Sequence, residues 1–231
     1  MRGDHIVIGT ATDPYQPAER RFRITRGILE VLARHPGLRV VVITKSPLVT
    51  RDVDVLARLA RHSTVEVHVS LITVDRELAR RIEPRAPTPE ARLRAVARLH
   101  ANGIRVRVNA MPVLPGITDA PAQLEALVRG VAGAGADSIV AGTLALRSTA
   151  RRRYLPFVEQ EFPLLARRYR RTYARSHLVG QRYRDGLKAT MRRLCARHGL
   201  QYGDGEEDAA PPAARAALPD YAPSRAARRA Q

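Results

Sequence analysis

The chain of 231 residues has one cysteine, no tryptophan and only two lysines. A single thiol, Cys195, excludes an intramolecular disulfide and any metal site built from cysteine pairs. Iron–sulfur clusters need several thiolates, so this chain alone cannot ligate one. Long apolar runs are absent as well: nothing approaches the ~18 consecutive apolar residues of a membrane span. The short run Ile6 to Ile8 near the start has no cleavage pattern behind it. Together these features lead us to expect a cytoplasmic protein that neither enters a membrane nor is secreted.

Acidic residues are the minority charge, 22 against 40 Lys and Arg, giving +18. With Lys45 and Lys188 the only lysines, arginine carries 38 of those 40 positive charges. Residues 147–198 hold 15 basic groups against Glu159, Glu161 and Asp185, so +12 of the +18 sits in under a quarter of the chain. Clustered positive charge attracts phosphate whatever the base sequence, and the Arg-rich stretch 147–197 is therefore the candidate contact for a nucleic-acid partner. The same stretch holds Tyr154, Phe157, Phe162, Tyr169, Tyr173 and Tyr183, six of the ten aromatic residues. Interleaved Arg and aromatics can track a phosphate backbone while stacking bases. An amphipathic helix whose aromatic stripe packs on the body explains the aromatics better, and leaves the charges open to nucleic acid.

An apolar content of 45% over this length suits one substantial core. Period-two apolar runs predict five strands, His5 to Gly9, Leu38 to Thr44, Val65 to Ile72, Ile104 to Met111 and Ser138 to Leu144. Helical patterns fall between them: Ile24 to Arg34, Asp52 to Arg61 capped by Thr50, Glu90 to Ala101, and one from near Asp119–Pro121 to Gly133–Gly135. Thr88-Pro89-Glu90 is a helix start in which Thr caps free N–H groups and Pro suits the first turn. Gly133-Ala134-Gly135 follows a helix and precedes a strand, which is a C-cap position and not a phosphate cradle. Farther on, Tyr154 to Tyr173 and Gln181 to His198 are helical, the latter placing Cys195 on a buried stripe. From Gln201 onward periodicity ends and a disordered tail is expected. The resulting division is a βα body over 1–146, a basic helical region over 147–200 and a tail over 201–231.

Strands alternating with helices imply right-handed crossovers and a parallel sheet, either doubly wound or a barrel. Small or polar residues recur at the strand ends: Thr10, Thr12 and Asp13; Thr44, Lys45 and Ser46; Ser70; Asn109; Thr143. In a βα barrel those ends converge on one mouth, which favours the barrel. Glu66, His68 and Ser70 share strand parity and face the same side; for His68 a hydrogen-bonded interior position outweighs a metal site.

Three segments carry a resemblance: Ile8-Gly9-Thr10-Ala11-Thr12-Asp13-Pro14-Tyr15-Gln16-Pro17-Ala18-Glu19, then Ile43-Thr44-Lys45-Ser46, then Val69-Ser70-Leu71 followed by Ile82-Glu83-Pro84-Arg85-Ala86-Pro87. In this order they are similar to the DNA repair photolyase group of radical S-adenosylmethionine proteins, whose best-known type is spore photoproduct lyase. The resemblance runs from about Met1 to about Leu200. It implies an α/β fold, a partial (β/α) barrel of radical S-adenosylmethionine type with five parallel strands, the first βα unit missing, plus C-terminal helices. It implies two cofactors, S-adenosyl-L-methionine and a 4Fe-4S cluster, and lyase-type chemistry in which the reduced cluster cleaves S-adenosylmethionine to a hydrogen-abstracting 5′-deoxyadenosyl radical.

By motif position, Thr12 corresponds to a small polar residue beside the cofactor, Lys45 and Ser70 to groups meeting its methionyl or ribose part, and Ala110 to a backbone contact. Arg85 is a further carboxylate-binding candidate, and Asp13 either binds a ribose or caps a helix. The family's Cys-x3-Cys-x2-Cys loop has no counterpart here. The expectation is an internal or misassigned start at Met1, or else a degenerate paralogue. Either leaves open whether this chain is itself an enzyme and predicts it to be inactive as written. The alternative reading is a non-catalytic nucleic-acid-binding protein derived from the same fold.

Overall fold

The computed structural model describes residues 3–203. Strand β1 (His5–Ile8) is followed by helices α1 (Glu19–Phe22) and α2 (Ile24–Leu32). Strand β2 (Arg39–Thr44) leads through a 3-10 turn, Pro47–Asp52, into α3 (Val53–Ala60), and β3 (Thr64–Ser70) into α4 (Arg76–Ile82) and α5 (Pro89–Ala101). The chain continues through β4 (Arg105–Val113), α6 (Pro121–Gly133) and β5 (Ser138–Thr143). It closes with α7 (Ser148–Glu161), α8 (Pro163–Thr172), α9 (Gln181–Arg197) and β6 (Gln201–Tyr202). All adjacent pairs are parallel and the sheet order is the sequence order, β1 to β6. Such an order with a helix in each crossover is the arrangement of a barrel wall, and the expected α/β partial barrel is the observed fold.

The five expected strands are present, and a sixth joins them. Gln201–Tyr202, read from sequence as the start of the tail, pairs with Ser138 and Ile139 of β5. Two residues are too short for an alternating pattern to register. The disorder expected for the rest of the tail, 204–231, lies outside the described residues.

Paired residues in a sheet share a face, so the register sorts the side chains. Val40, Val42, Val65, Val67, Val69, Val106 and Val108 are buried on one side. There they meet Leu29, Leu56, Leu99, Leu127 and Met191 from α2, α3, α5, α6 and α9 in the main core. The opposite, concave side carries Glu66, His68 and Ser70 of β3 beside Arg105, Arg107 and Asn109 of β4. A face with charged side chains in mid-strand is not a packing surface, and it is what leaves room for a site.

A second core forms where the ends of β4 and β5 meet the C-terminal helices. Leu114, Ile117 and Leu144 pack with Val158, Tyr169 and Tyr173. The Tyr169 hydroxyl donates to the Pro115 carbonyl at 2.8 Å and the Tyr173 hydroxyl to the Leu144 carbonyl at 3.1 Å. The aromatic stripe is thus spent on packing, as its spacing indicated. Cys195 is buried in the main core on α9.

Some local expectations are corrected. Thr50 does not cap α3; its hydroxyl donates to the Pro47 carbonyl at 3.0 Å, inside the 3-10 turn that Ser46 caps. The stretch Tyr154 to Tyr173 is two helices, because Pro163 cannot continue α7 and instead opens α8. Helix α4, seven residues capped by Asp75, was not anticipated. Among the described residues no helix is long and apolar enough to cross a membrane.

Candidate functional site

The parallel sheet puts the ends of β1 to β5 on one edge, and polar contacts link the first three of them. After β1, Asp13 accepts from the Thr44 hydroxyl at 2.6 Å, from the Lys45 main-chain N–H at 2.8 Å and from Tyr15 N–H at 2.9 Å. Its two carboxylate oxygens therefore pin the first loop to the tip of β2. Of its two sequence readings, the helix cap is not what these contacts show; Asp13 ties two strand tips together, and it also lines the cleft in which the ribose reading would place it.

From Lys45 the linkage continues through the side chain. Its ammonium lies 2.7 Å from Glu83 Oε1, and the other Glu83 oxygen accepts from Arg92 Nη2 at 2.7 Å. Arg92 also donates to the Ser70 carbonyl and the Pro87 carbonyl, each at 2.9 Å. Burial acts to raise the Glu83 carboxyl, but the Lys45 ammonium and the Arg92 guanidinium outweigh it and hold the group below the ordinary carboxylate value. Lys45 keeps 46% of its side-chain surface exposed while Arg92 keeps 2%. Lys45 consequently presents its remaining donors outward, whereas Arg92 is wholly committed to holding the tip of β3.

Ser70 ends β3 directly opposite Asn109 of β4 on the concave face. The Asn109 Oδ1 is buried and has no hydrogen-bond partner among the described residues, which leaves it open to a donor on a ligand or an ordered water. Deeper on the same face His68 Nε2 lies 2.8 Å from Glu66 Oε2, the interior hydrogen bond expected of it. Ala110 is fully buried on the opposite, helix-facing side and pairs with Ala141, so only its backbone can serve a ligand on the concave side.

Two clefts flank these tips. One, of about 490 Å³, is lined by Asp13, Lys45 and Arg85 together with Arg20 and Ser46. The other, of about 320 Å³, takes Thr12 and Asp13 toward the β1 edge, beside Phe22 and Ile28. Asp13, Lys45 and Arg85 are thus brought to one cleft and Ser70 is tied to it through Arg92, while Thr12 sits on the neighbouring side of Asp13. Glu83 and Arg92 were missed as site residues. Arg92 carried a readable signal, since it occupies the apolar stripe of α5 with Val96 and Leu99, where an arginine must find buried acceptors.

Among the described residues no group of three or more His, Cys, Asp or Glu side chains could hold a metal ion. Burial pushes the Cys195 thiol up to about 11. The donors present do not fit an iron–sulfur cluster. They do fit a polar organic cofactor: an outward ammonium, two strand-end polar groups and an unpartnered buried acceptor.

The model of the Radical SAM superfamily matches residues 1–128. An uncharacterized protein of Mycobacterium tuberculosis is 36% identical over 217 residues, 94% of this chain and 63% of that protein. Another, from Methanocaldococcus jannaschii, is 32% identical over 114 residues, 49% of this chain and 42% of its own. This chain therefore spans less than two thirds of the length of these relatives. Among solved structures, a spore photoproduct lyase variant with bound AdoMet and dinucleoside spore photoproduct is similar in fold, with a TM-score of 0.66 at 14% identity, covering 87% of this chain and 61% of that one. The lyase complexed with dinucleoside spore photoproduct gives a TM-score of 0.61, with the same coverage.

Proposed function

This chain belongs to the radical SAM superfamily, and from that premise we propose that it forms the S-adenosylmethionine-orienting body of an iron–sulfur enzyme of the spore photoproduct lyase type. The observation that carries the reading is the continuous linkage from Asp13 through Lys45, Glu83 and Arg92 to Ser70, ending beside the open acceptor of Asn109. Three strand tips are locked into one rim by contacts that have no role in packing the core.

Within that rim each residue has a task its chemistry suits. The Lys45 ammonium neutralises the methionyl carboxylate, and the Ser70 hydroxyl and Asn109 carbonyl take hydrogen bonds from polar groups of the nucleoside. Thr12 and the main chain at Ala110 bound the site on either side. Arg85 offers a second cation at the cleft. S-adenosylmethionine, when bound and reductively cleaved, supplies the hydrogen-abstracting power; the chain's own part is to orient it and exclude water. The cluster is not held by the residues described. The substrate class we propose is nucleic acid, supported by the basic stretch 147–197.

The test is calorimetric titration of the whole chain with S-adenosylmethionine, paired with reconstitution using iron and sulfide. Micromolar-range binding without a thiolate–iron absorbance band supports the reading. Failure to bind S-adenosylmethionine while single-stranded DNA is still bound in a salt-dependent manner would establish the second reading, a non-catalytic nucleic-acid-binding protein, which the charge of residues 147–197 favours.

A further inference from the structure

The cleft of about 490 Å³ beside Lys45 also holds Arg20 and Arg85. Most cations around this rim are already matched. Arg26 is paired with Glu30, Asp52 and Asp54, Arg51 with Glu19 and Asp52, and Lys45 and Arg92 with Glu83. Arg20 and Arg85 belong to neither set: among the described residues no carboxylate pairs with either, and both are exposed.

What distinguishes them from ordinary solvated arginines is how firmly their backbones are held. Arg20 lies on α1, whose Glu19 is 5% exposed and accepts from the N–H groups of Thr25 and Arg26 at 3.0 and 3.3 Å and from Arg51 at 2.9 Å. Arg85 follows Glu83 by two residues, in a turn closed by Ala86 N–H donating to the Glu83 carbonyl at 3.0 Å. Pro84 and Pro87 stiffen the same turn. A carboxylate therefore anchors each short segment, buried at Glu19 and half-buried at Glu83, and each anchored segment carries one uncommitted guanidinium to the same cleft. Asp13, the carboxylate that lines the cleft, already accepts from Thr44, Lys45 and Tyr15, so it is committed to the rim and not to these two arginines.

We propose that Arg20 and Arg85 form a phosphate-binding subsite at the mouth of the cofactor cleft. A guanidinium fork matches two phosphate oxygens, and two forks on separate rigid segments can grip one phosphate group from both sides. A cleft of this volume admits a mononucleotide-sized group and not a duplex. The inference deepens the function proposed above and rests on the cleft being the substrate-facing side of that site; it assigns Arg85 to substrate phosphate, not to the cofactor carboxylate.

The test compares the wild-type chain with the Arg20→Gln/Arg85→Gln double variant. One arm measures fluorescence anisotropy of a labelled single-stranded oligothymidylate over a salt series; the other is calorimetric titration with inorganic phosphate. Loss of the one phosphate that the two forks share lowers the magnitude of the slope of log K against log salt by about 0.7 and weakens binding at least roughly fivefold, which identifies a phosphodiester as the ligand. An unchanged slope with loss of inorganic phosphate binding identifies a small phosphate-bearing molecule instead. No change in either arm overturns the subsite. S-adenosylmethionine titrated into the wild-type chain separates the two proposals, since its failure to bind removes the cofactor site without touching either phosphate arm.

Discussion

The Lys45 ammonium sits 2.7 Å from Glu83 Oε1, two residues that are 38 positions apart and on loops after different strands. An ammonium has three protons to give. One is taken by Glu83, and the side chain is still nearly half exposed, so the pair positions the cation over the cleft without using it up. Replacing Lys45 by Ala should weaken S-adenosylmethionine binding roughly tenfold, about 1.4 kcal/mol, with little change in thermal stability. Calorimetry and a melting curve on the same sample check both halves. Unchanged affinity would remove Lys45 from the site.

Arg92 behaves in the opposite way. Its guanidinium is 2% exposed and feeds Glu83, Ser70 and Pro87 at once. Removing it leaves the Ser70 and Pro87 carbonyls and one Glu83 oxygen without their donor, at a cost of about 1–3 kcal/mol for each buried acceptor left unsatisfied, while Lys45 still neutralises Glu83. Arg92→Ala should therefore lower the unfolding midpoint in urea sharply, and Arg92→Lys should recover only part, since an ammonium cannot reach three acceptors in a planar fork. A denaturation midpoint for Arg92→Ala equal to that of the wild type would refute the role.

Acid should destabilise the fold through Glu83 and Asp52. Burial pushes both carboxyls up, but Lys45 and Arg92 around Glu83, and Arg51 and Arg26 around Asp52, outweigh it and leave both below their ordinary values of 4.5 and 3.8. The unfolded chain then binds more protons than the folded one in acid. This contribution is complete above those ordinary values and is lost as pH falls through them toward the lower folded values. Urea midpoints should stay flat from neutrality down to about pH 5 and drop below it. A Glu83→Gln variant, despite being weaker throughout, should show a shallower drop.

Cys195 is buried in the core and its thiol is raised to about 11, so thiolate is scarce at neutral pH. Ellman's reagent should react with the native chain only at the rate of unfolding and quickly in denaturant. Rapid native labelling would mean that α9 opens readily.

How far the sequence revealed this arrangement depends on the range of the contacts involved. Strands and the longer helices were legible because each is a local repeat: Val40, Val42 and Thr44 alternate, and Thr88 and Pro89 announce α5. Helix α4 was not, since seven residues, four of them charged, make no apolar stripe. The polar strand tips were legible as a list, and the register turns Ser70 and Asn109 into neighbours. What stayed hidden was their coupling. Nothing near Lys45 in sequence announces Glu83, and nothing near Ser70 announces Arg92, because both contacts are made by chain closure and not by spacing. Asp13 was legible only as one more polar strand-end residue for the same reason: the donors it accepts from, Thr44 and Lys45, lie 31 and 32 residues away.

Asn109 provides the sharpest separation of function from stability. Its Oδ1 is buried without a partner, and a buried acceptor left unsatisfied costs about 1–3 kcal/mol. Leucine has a similar shape and no such debt, so Asn109→Leu should raise the stability of the unliganded chain by about 1 kcal/mol. If the acceptor exists to meet a donor on the cofactor, the same substitution should weaken S-adenosylmethionine binding severalfold, so that the variant is harder to unfold and worse at binding. An Asn kept for packing alone predicts the reverse on both counts, lower stability and untouched affinity. Thermal melts with and without S-adenosylmethionine distinguish the two, because the ligand-induced rise in midpoint must shrink in the variant even as its ligand-free midpoint climbs.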